Sequence, residues 1–235
     1  MATILRTLPS RKLIGLDRAG EGQFGPMTFS CLREMYFGHL QELKIEQCVG
    51  VSSAMVQEIM MECAHLIILE APYVFIRDIV TAPKPWSCLK LKEMTVYIAK
   101  QEDDEVGWDG LVFEQISKLR RLRSLDLQRN PRYSSKRIRP ETVMDLETLD
   151  LRLPGFCNSG SSSDGGGCDI RCWSNLVQLG SFCFDGDRQV LGMKEALWMV
   201  EHWRDLTTIW GEFEAVEGND VDKLDTLFKK KGVNL

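Results

Sequence analysis

Apolar residues fall along this chain in two alternating periods. In short stretches such as LRSLDLQRN, Leu122, Leu125 and Leu127 are separated by polar or charged residues. That alternation predicts a strand with one buried face. Between such stretches the period lengthens to that of a helix. Val56, Ile59, Met60 and Cys63 stand at i, i+3, i+4 and i+7 behind a cap at Ser52 or Ser53, which predicts one apolar helical stripe. The run MKEALWMVEHW predicts a second helix, with Met193, Ala196, Leu197, Val200 and His202 to Trp203 on its apolar face. In DVDKLDTLFKKKG, Asp220 caps a third, Val221, Leu224, Leu227 and Phe228 share a face, and Lys229 to Lys231 lie where the helix dipole favours cations.

The strand-like stretches follow one frame, L-x-x-L-x-L-x-x-N, filled without substitution from Leu122 to Asn130. It recurs from Leu40, Leu66, Leu91, Leu146, Leu179 and Leu206, at a mean interval of about 28 residues. A strand and a helix per interval cannot bury their apolar faces alone, and stacking neighbours buries them all. The expected fold is therefore an α/β leucine-rich-repeat solenoid, a horseshoe with a parallel concave sheet and helices on the convex side. Two intervals are long. The Gly/Ser-rich run Asn158 to Asp169 and the acidic run Gln101 to Gly110 account for the excess as surface loops. The expected organisation is a flexible N-terminal leader over 1–31, the solenoid over 32–218 and a C-terminal capping helix over 219–235.

The segment CVGVSSAMVQEIMMECAHL, with Cys48 after one strand and Cys63 three residues before Leu66, resembles the cysteine-containing repeats of F-box proteins. PWSCLKLKEMTVYI and WRDLTTIWGEFEAVEG are similar to the repeat regions of fungal F-box/LRR proteins. The resemblance covers Leu40 to the C-terminus. It implies the substrate-binding region of an SCF-type E3 ubiquitin ligase receptor, acting in ubiquitin-dependent protein degradation, with the SCF adaptor and cullin as partners wherever an F-box accompanies the repeats. Only Leu8-Pro9 is suggestive of an F-box, and the glycine-rich GLDRAGEGQFGPM that follows is a poor source of its helices. The alternative is a stand-alone scaffold or binding module with no ubiquitin role.

Of 235 residues, 44% are apolar and 27% charged, with a formal net charge of -5, as in ordinary globular chains. The longest apolar stretch is interrupted by Glu70 and Pro72, so no membrane span is expected. The first residues lack a secretory pattern, which places the chain in the cytoplasm or nucleus with its eight cysteines reduced. Gly20, Gly22 and Gly25 match a glycine-rich phosphate loop, but without a preceding strand or the companion kinase motifs they read as loop glycines. Cys168, Cys172 and His202 lack the two tight pairs of a structural zinc site. Neither a cofactor nor a metal is expected. No nucleophile elbow, H-E-x-x-H or paired carboxylates occur, and the chain reads as non-catalytic.

If the frame leucines point inward, the third, fifth and seventh frame positions line the concave face. Of these 21 positions eight are acidic and two basic. Glu46, Glu70, Glu93, Tyr97, Asp126, Asp150, Arg152, Asp185 and Trp210 are the candidate contacts, Tyr97 and Trp210 being residue types that anchor interfaces. Such a face suits a protein substrate with a basic segment. A separate basic patch, Arg120, Arg121, Arg123, Arg129, Arg132, Lys136, Arg137 and Arg139, raises phosphate or nucleic-acid binding as a lesser reading. Against it, Tyr133 is its sole interleaved aromatic. The plainer role for the patch is to balance the acids of 102–105 in solvent.

Overall fold

The computed structural model describes residues 2–7, 14–17, 24–99, 101, 108–127, 170–184, 193–211 and 221–234. Their fold is α/β, with one seven-stranded parallel sheet whose strands neighbour each other in chain order. The strands are β1 (Gly15–Asp17), β2 (Glu42–Lys44), β3 (Ile68–Phe75), β4 (Glu93–Ala99), β5 (Ser124–Leu127), β6 (Ser181–Phe184) and β7 (Thr208–Trp210). Six leucine frames set the register, since β2 to β7 each begin at the third position of a frame. The fourth positions, Leu43, Leu69, Met94, Leu125, Phe182 and Ile209, pair across the sheet and are all buried. Leu16 of β1 extends this row.

Parallel strands need a crossover between them. The helices that follow in these connections are α2 (Pro26–Tyr36), α3 (Ser53–Glu62), α4 (Ile76–Val80), α5 (Trp108–Ser117), a short 3-10 helix (Ile170–Asn175) and α6 (Met193–His202). A tight turn ends each return to the sheet. The amides of Leu66, Leu91, Leu122, Leu179 and Leu206 donate to the carbonyls of Cys63, Cys88, Leu119, Leu176 and Trp203, three residues earlier. All five of those upstream side chains are buried. At the next frame position one carbonyl serves two amides of the following strand: the Lys92 carbonyl accepts from Arg123 at 2.7 Å and Ser124 at 3.0 Å.

Ser52 caps α3 as its sequence suggests, its side chain accepting from the Met55 amide at 3.3 Å, and Val56, Ile59, Met60 and Cys63 are fully buried. α6 buries a different face from the one expected. Trp198 and Met199 join Ala196 inside, while Leu197 is 49% exposed. The reason is aromatic packing: Trp198 meets Trp203 edge-on and stacks on His202, whose ring lies 2.9 Å from the Trp198 carbonyl. Trp173 lies in the middle of this end of the core. It packs on Phe113, Phe182 and Trp203, and its indole N–H donates to the Phe113 carbonyl at 3.2 Å.

Three expectations change. The 1–31 segment contains β1 and much of α2, together with helix α1 (Ala2–Thr7). Leu5, Phe24 and Phe29 are core residues, and the Tyr36 hydroxyl donates to the Leu5 carbonyl at 2.5 Å. The boundary at residue 31 therefore falls inside α2. The frames before and after Leu146 are neighbours in the sheet, since β5 pairs directly with β6, Leu125 opposite Phe182. The Leu146 frame itself, the Asn158 to Asp169 loop and the acids of 102–105 lie outside the described residues, and Trp108 to Gly110, expected in a loop, begin α5.

The last helix, α7 (Val221–Lys230), buries Leu224 and Phe228. After it the chain returns to the sheet, where Asn234 bridges in parallel to Thr208. The Ile209 amide donates to the Asn234 carbonyl and the Asn234 amide to the Thr207 carbonyl. No helix among the described residues is long and apolar enough to cross a membrane.

Candidate functional site: the open face of the sheet

Alternation puts the third- and fifth-position side chains opposite the buried row. One row across this open face runs Asp17, Lys44, Glu70, Thr95, Asp126, Cys183 and Trp210. A parallel row runs Gly15, Glu42, Ile68, Glu93, Ser124, Ser181 and Thr208. Glu46 follows in the turn after β2, past the buried Ile45, half-buried and within reach of the charge of Glu70. Glu70, with Asp17 and Glu93 further off, bears on one ammonium of these rows, that of Lys44.

The Lys44 ammonium lies 2.7 Å from the Glu70 carboxylate. The hydrogen bond and charge of Glu70 hold the Lys44 pKa above its ordinary value, with smaller contributions from Asp17 and Glu93. Glu46 has no such support. Burial raises its pKa, and the charges of Glu70 and Asp126 raise it further. Glu93 is exposed, and Trp210 is 64% exposed at the far end of the row. Its position is constrained by its neighbour: a Cβ on Gly211 would lie within van der Waals overlap of the Phe184 ring.

Tyr97 was expected to be an exposed anchor and is instead only 6% exposed, because β4 runs on to Ala99 and is buried on both faces beyond Thr95. Tyr73, absent from the sequence-based set, lies opposite Tyr97 and is half-buried. A register shift between Ala71 and Tyr73 causes the difference, since Pro72 is an extra residue in β3 and moves Tyr73 to the place assigned to Pro72. Tyr73 meets Phe75 edge-on at 5.3 Å, giving the acidic rows an aromatic border.

Asp17 was likewise missed. Its signal is LIGLDR, in which Leu13 and Leu16 fill the first two frame leucines and Arg18 replaces the third apolar residue. Asp150, Arg152 and Asp185 lie outside the described residues, as do Arg129, Arg132, Lys136, Arg137 and Arg139. Arg120, Arg121 and Arg123 are described and exposed, in the turn that leads into β5 at the amino-terminal end of the strands.

Cys48, Cys63, Cys88 and Cys183 are buried, and burial pushes the Cys88 pKa up to about 12, the opposite of nucleophile activation. Among the described residues no three or more His, Cys, Asp or Glu side chains are grouped to hold a metal. Comparison with known protein families finds no matching family model, and no curated protein matches the chain.

Proposed function

We propose that this chain is a leucine-rich-repeat solenoid whose open sheet face is the concave surface of a protein-recognition module, and that it binds a basic segment of another protein. The observation carrying this reading is the alignment of Asp17, Glu70 and Asp126 in one row of the open face, with Glu42 and Glu93 in the row beside it. Carboxylates placed this way repel one another, and a bound lysine or arginine relieves that repulsion. Trp210 supplies an exposed ring at the end of the same row, over which a cation or an aliphatic stem can lie.

The resemblance to F-box/LRR proteins makes this module the substrate-holding region of an SCF-type ubiquitin ligase receptor, non-catalytic in itself and working in cytoplasm or nucleus. The bound protein would then be a degradation substrate. A stand-alone scaffold using the same face is the alternative, and the two differ in the company the chain keeps.

Fluorescence anisotropy of the purified full chain with a lysine/arginine-rich peptide tests the binding reading. Glu93→Lys with Asp126→Lys is expected to weaken binding by about tenfold or more while the circular dichroism spectrum is retained. Unchanged affinity in this folded variant overturns the acidic-face assignment. Affinity purification from the organism's own lysate tests the ligase part: stoichiometric adaptor and cullin support it, and specific partners without them leave a free binding module.

A further inference from the structure

At the amino-terminal ends of β3, β4 and β5 the return turns stack in register, and their cations stack with them. His65, Lys90 and Arg121 each precede a frame leucine, and the Lys90 ammonium lies 3.0 Å from Nδ1 of His65, which shows how closely adjacent turns approach. Lys92 and Arg123 occupy the next equivalent pair, joined through the Arg123 amide and the Lys92 carbonyl. Arg120 sits between Leu89 and Val177 in a third column, and those two aliphatic side chains are 50% and 53% exposed. No acid occurs in residues 63–67, 88–92 or 119–123. Among the described residues none of Lys90, Lys92, Arg120, Arg121 and Arg123 makes an ion pair, whereas nearby Lys118 is matched by Glu114 at 3.3 Å.

These turns lie at the amino-terminal end of β4, a seven-residue strand whose other end is about 20 Å away along the sheet. Five cations with no ion pair among the described residues, beside exposed aliphatic side chains, form a surface with a chemistry opposite to that of the open sheet face. We infer that this turn edge is a second protein-docking surface, one that takes an acidic segment in which carboxylates alternate with aliphatic residues. Three features select that occupant. The five cations are divided two and three between adjacent turns about 5 Å apart, separate single charges that match a row of single negative charges better than one dianionic phosphate. The exposed neighbours are Leu89 and Val177 on either side of Arg120, so carboxylate and aliphatic side chains both find partners. Residues 63–67, 88–92 and 119–123 contain no Phe, Tyr or Trp for bases to stack on, which disfavours nucleic acid.

The test uses the full chain and a short fluorescein-labelled peptide alternating glutamate with leucine. Its controls are the glutamine version of the peptide, a version with one phosphoserine among glutamines, and a single-stranded oligonucleotide. The glutamate peptide is expected to bind, and to lose about tenfold in affinity between about 50 and about 300 mM salt. Arg120→Glu with Arg121→Glu and Arg123→Glu is expected to reduce binding by about tenfold or more with the melting temperature nearly unchanged, because all three side chains are exposed. Glu93→Lys with Asp126→Lys, on the other face, should leave it intact, which separates this surface from the one proposed above. If the reversed triple variant unfolds, Arg120→Gln with Arg123→Gln serves, with a smaller loss expected. Equal binding of the glutamine peptide, no binding of the glutamate peptide, or tighter binding of the phosphoserine peptide or the oligonucleotide each overturns the inference.

Discussion

Glu46 and Asp126 belong to segments three strands apart in the sheet, about 14 Å at the usual strand spacing, yet the charge of Asp126 raises the pKa of Glu46. Burial has already disfavoured this carboxyl as an anion, so it takes up a proton at a higher pH than an ordinary glutamate does. Lowering the pH from about 7 to about 5 should weaken the basic peptide's binding, and Glu46→Gln should flatten that dependence. The sign for stability is opposite. Because the folded-state pKa is raised, the folded chain binds more protons than the unfolded one just above the ordinary carboxylate range, so ionised Glu46 opposes folding at neutral pH. Glu46→Gln should raise the melting temperature at pH 7 by an increment worth less than about 1 kcal/mol after solvent screening, and the gain should vanish in acid. A melting series across pH checks both signs.

The aromatic group around Trp173 joins α5, the 3-10 helix, β6 and the end of α6. Trp173→Ala removes a fully buried ring and leaves the Phe113 carbonyl without its indole donor. A loss of about 3–5 kcal/mol is expected, read from urea unfolding by circular dichroism.

Gln57 and Trp86 form a second buried dependency, the indole N–H donating to the Gln57 side-chain oxygen at 3.0 Å. Trp86→Phe should cost about 1–3 kcal/mol by leaving that oxygen without a donor. In the double variant with Gln57→Leu the loss should be smaller than the two single losses added together, because the stranded polar group is gone. Additive losses in a double-mutant cycle would disprove coupling through the hydrogen bond.

Direct pairing of β5 with β6 implies that residues between them are not needed to bridge the sheet. Replacing residues 132–165 by a short Gly/Ser linker should preserve one cooperative unfolding transition, with a melting temperature within a few degrees of the full chain's. Loss of cooperativity would mean that the replaced segment carries part of the core.

What could be read in advance was the register. A leucine at the first frame position and an apolar residue at the fourth were enough to place β2 to β7, since a one-residue slip would turn Leu43, Leu69 and Leu125 outward. At Leu146 LETLDL satisfies the frame as well as LRSLDL does, but it lies outside the described residues, and strand pairing depends on neighbours that no local window contains. β1 escaped notice for the converse reason: Arg18 breaks its frame while Leu16 still joins the buried row. Among the candidate contacts, exposure was legible for Glu93 and Trp210, which lie on short or regular strand segments. It failed at Tyr97, where the sheet continues past the end of the motif and a single extra residue, Pro72, reassigns everything after it.

The pairing of Asn234 with the outer side of β7 has one more consequence. A parallel sheet built by adding each strand beside the last has no internal signal for stopping, and its final strand offers the next chain a ready template. Here the Asn234 amide and carbonyl occupy hydrogen-bonding positions that a foreign strand would use. Asn234 thereby covers part of this edge, and a variant cut after Gly232 should expose it and become adhesive to its own copies.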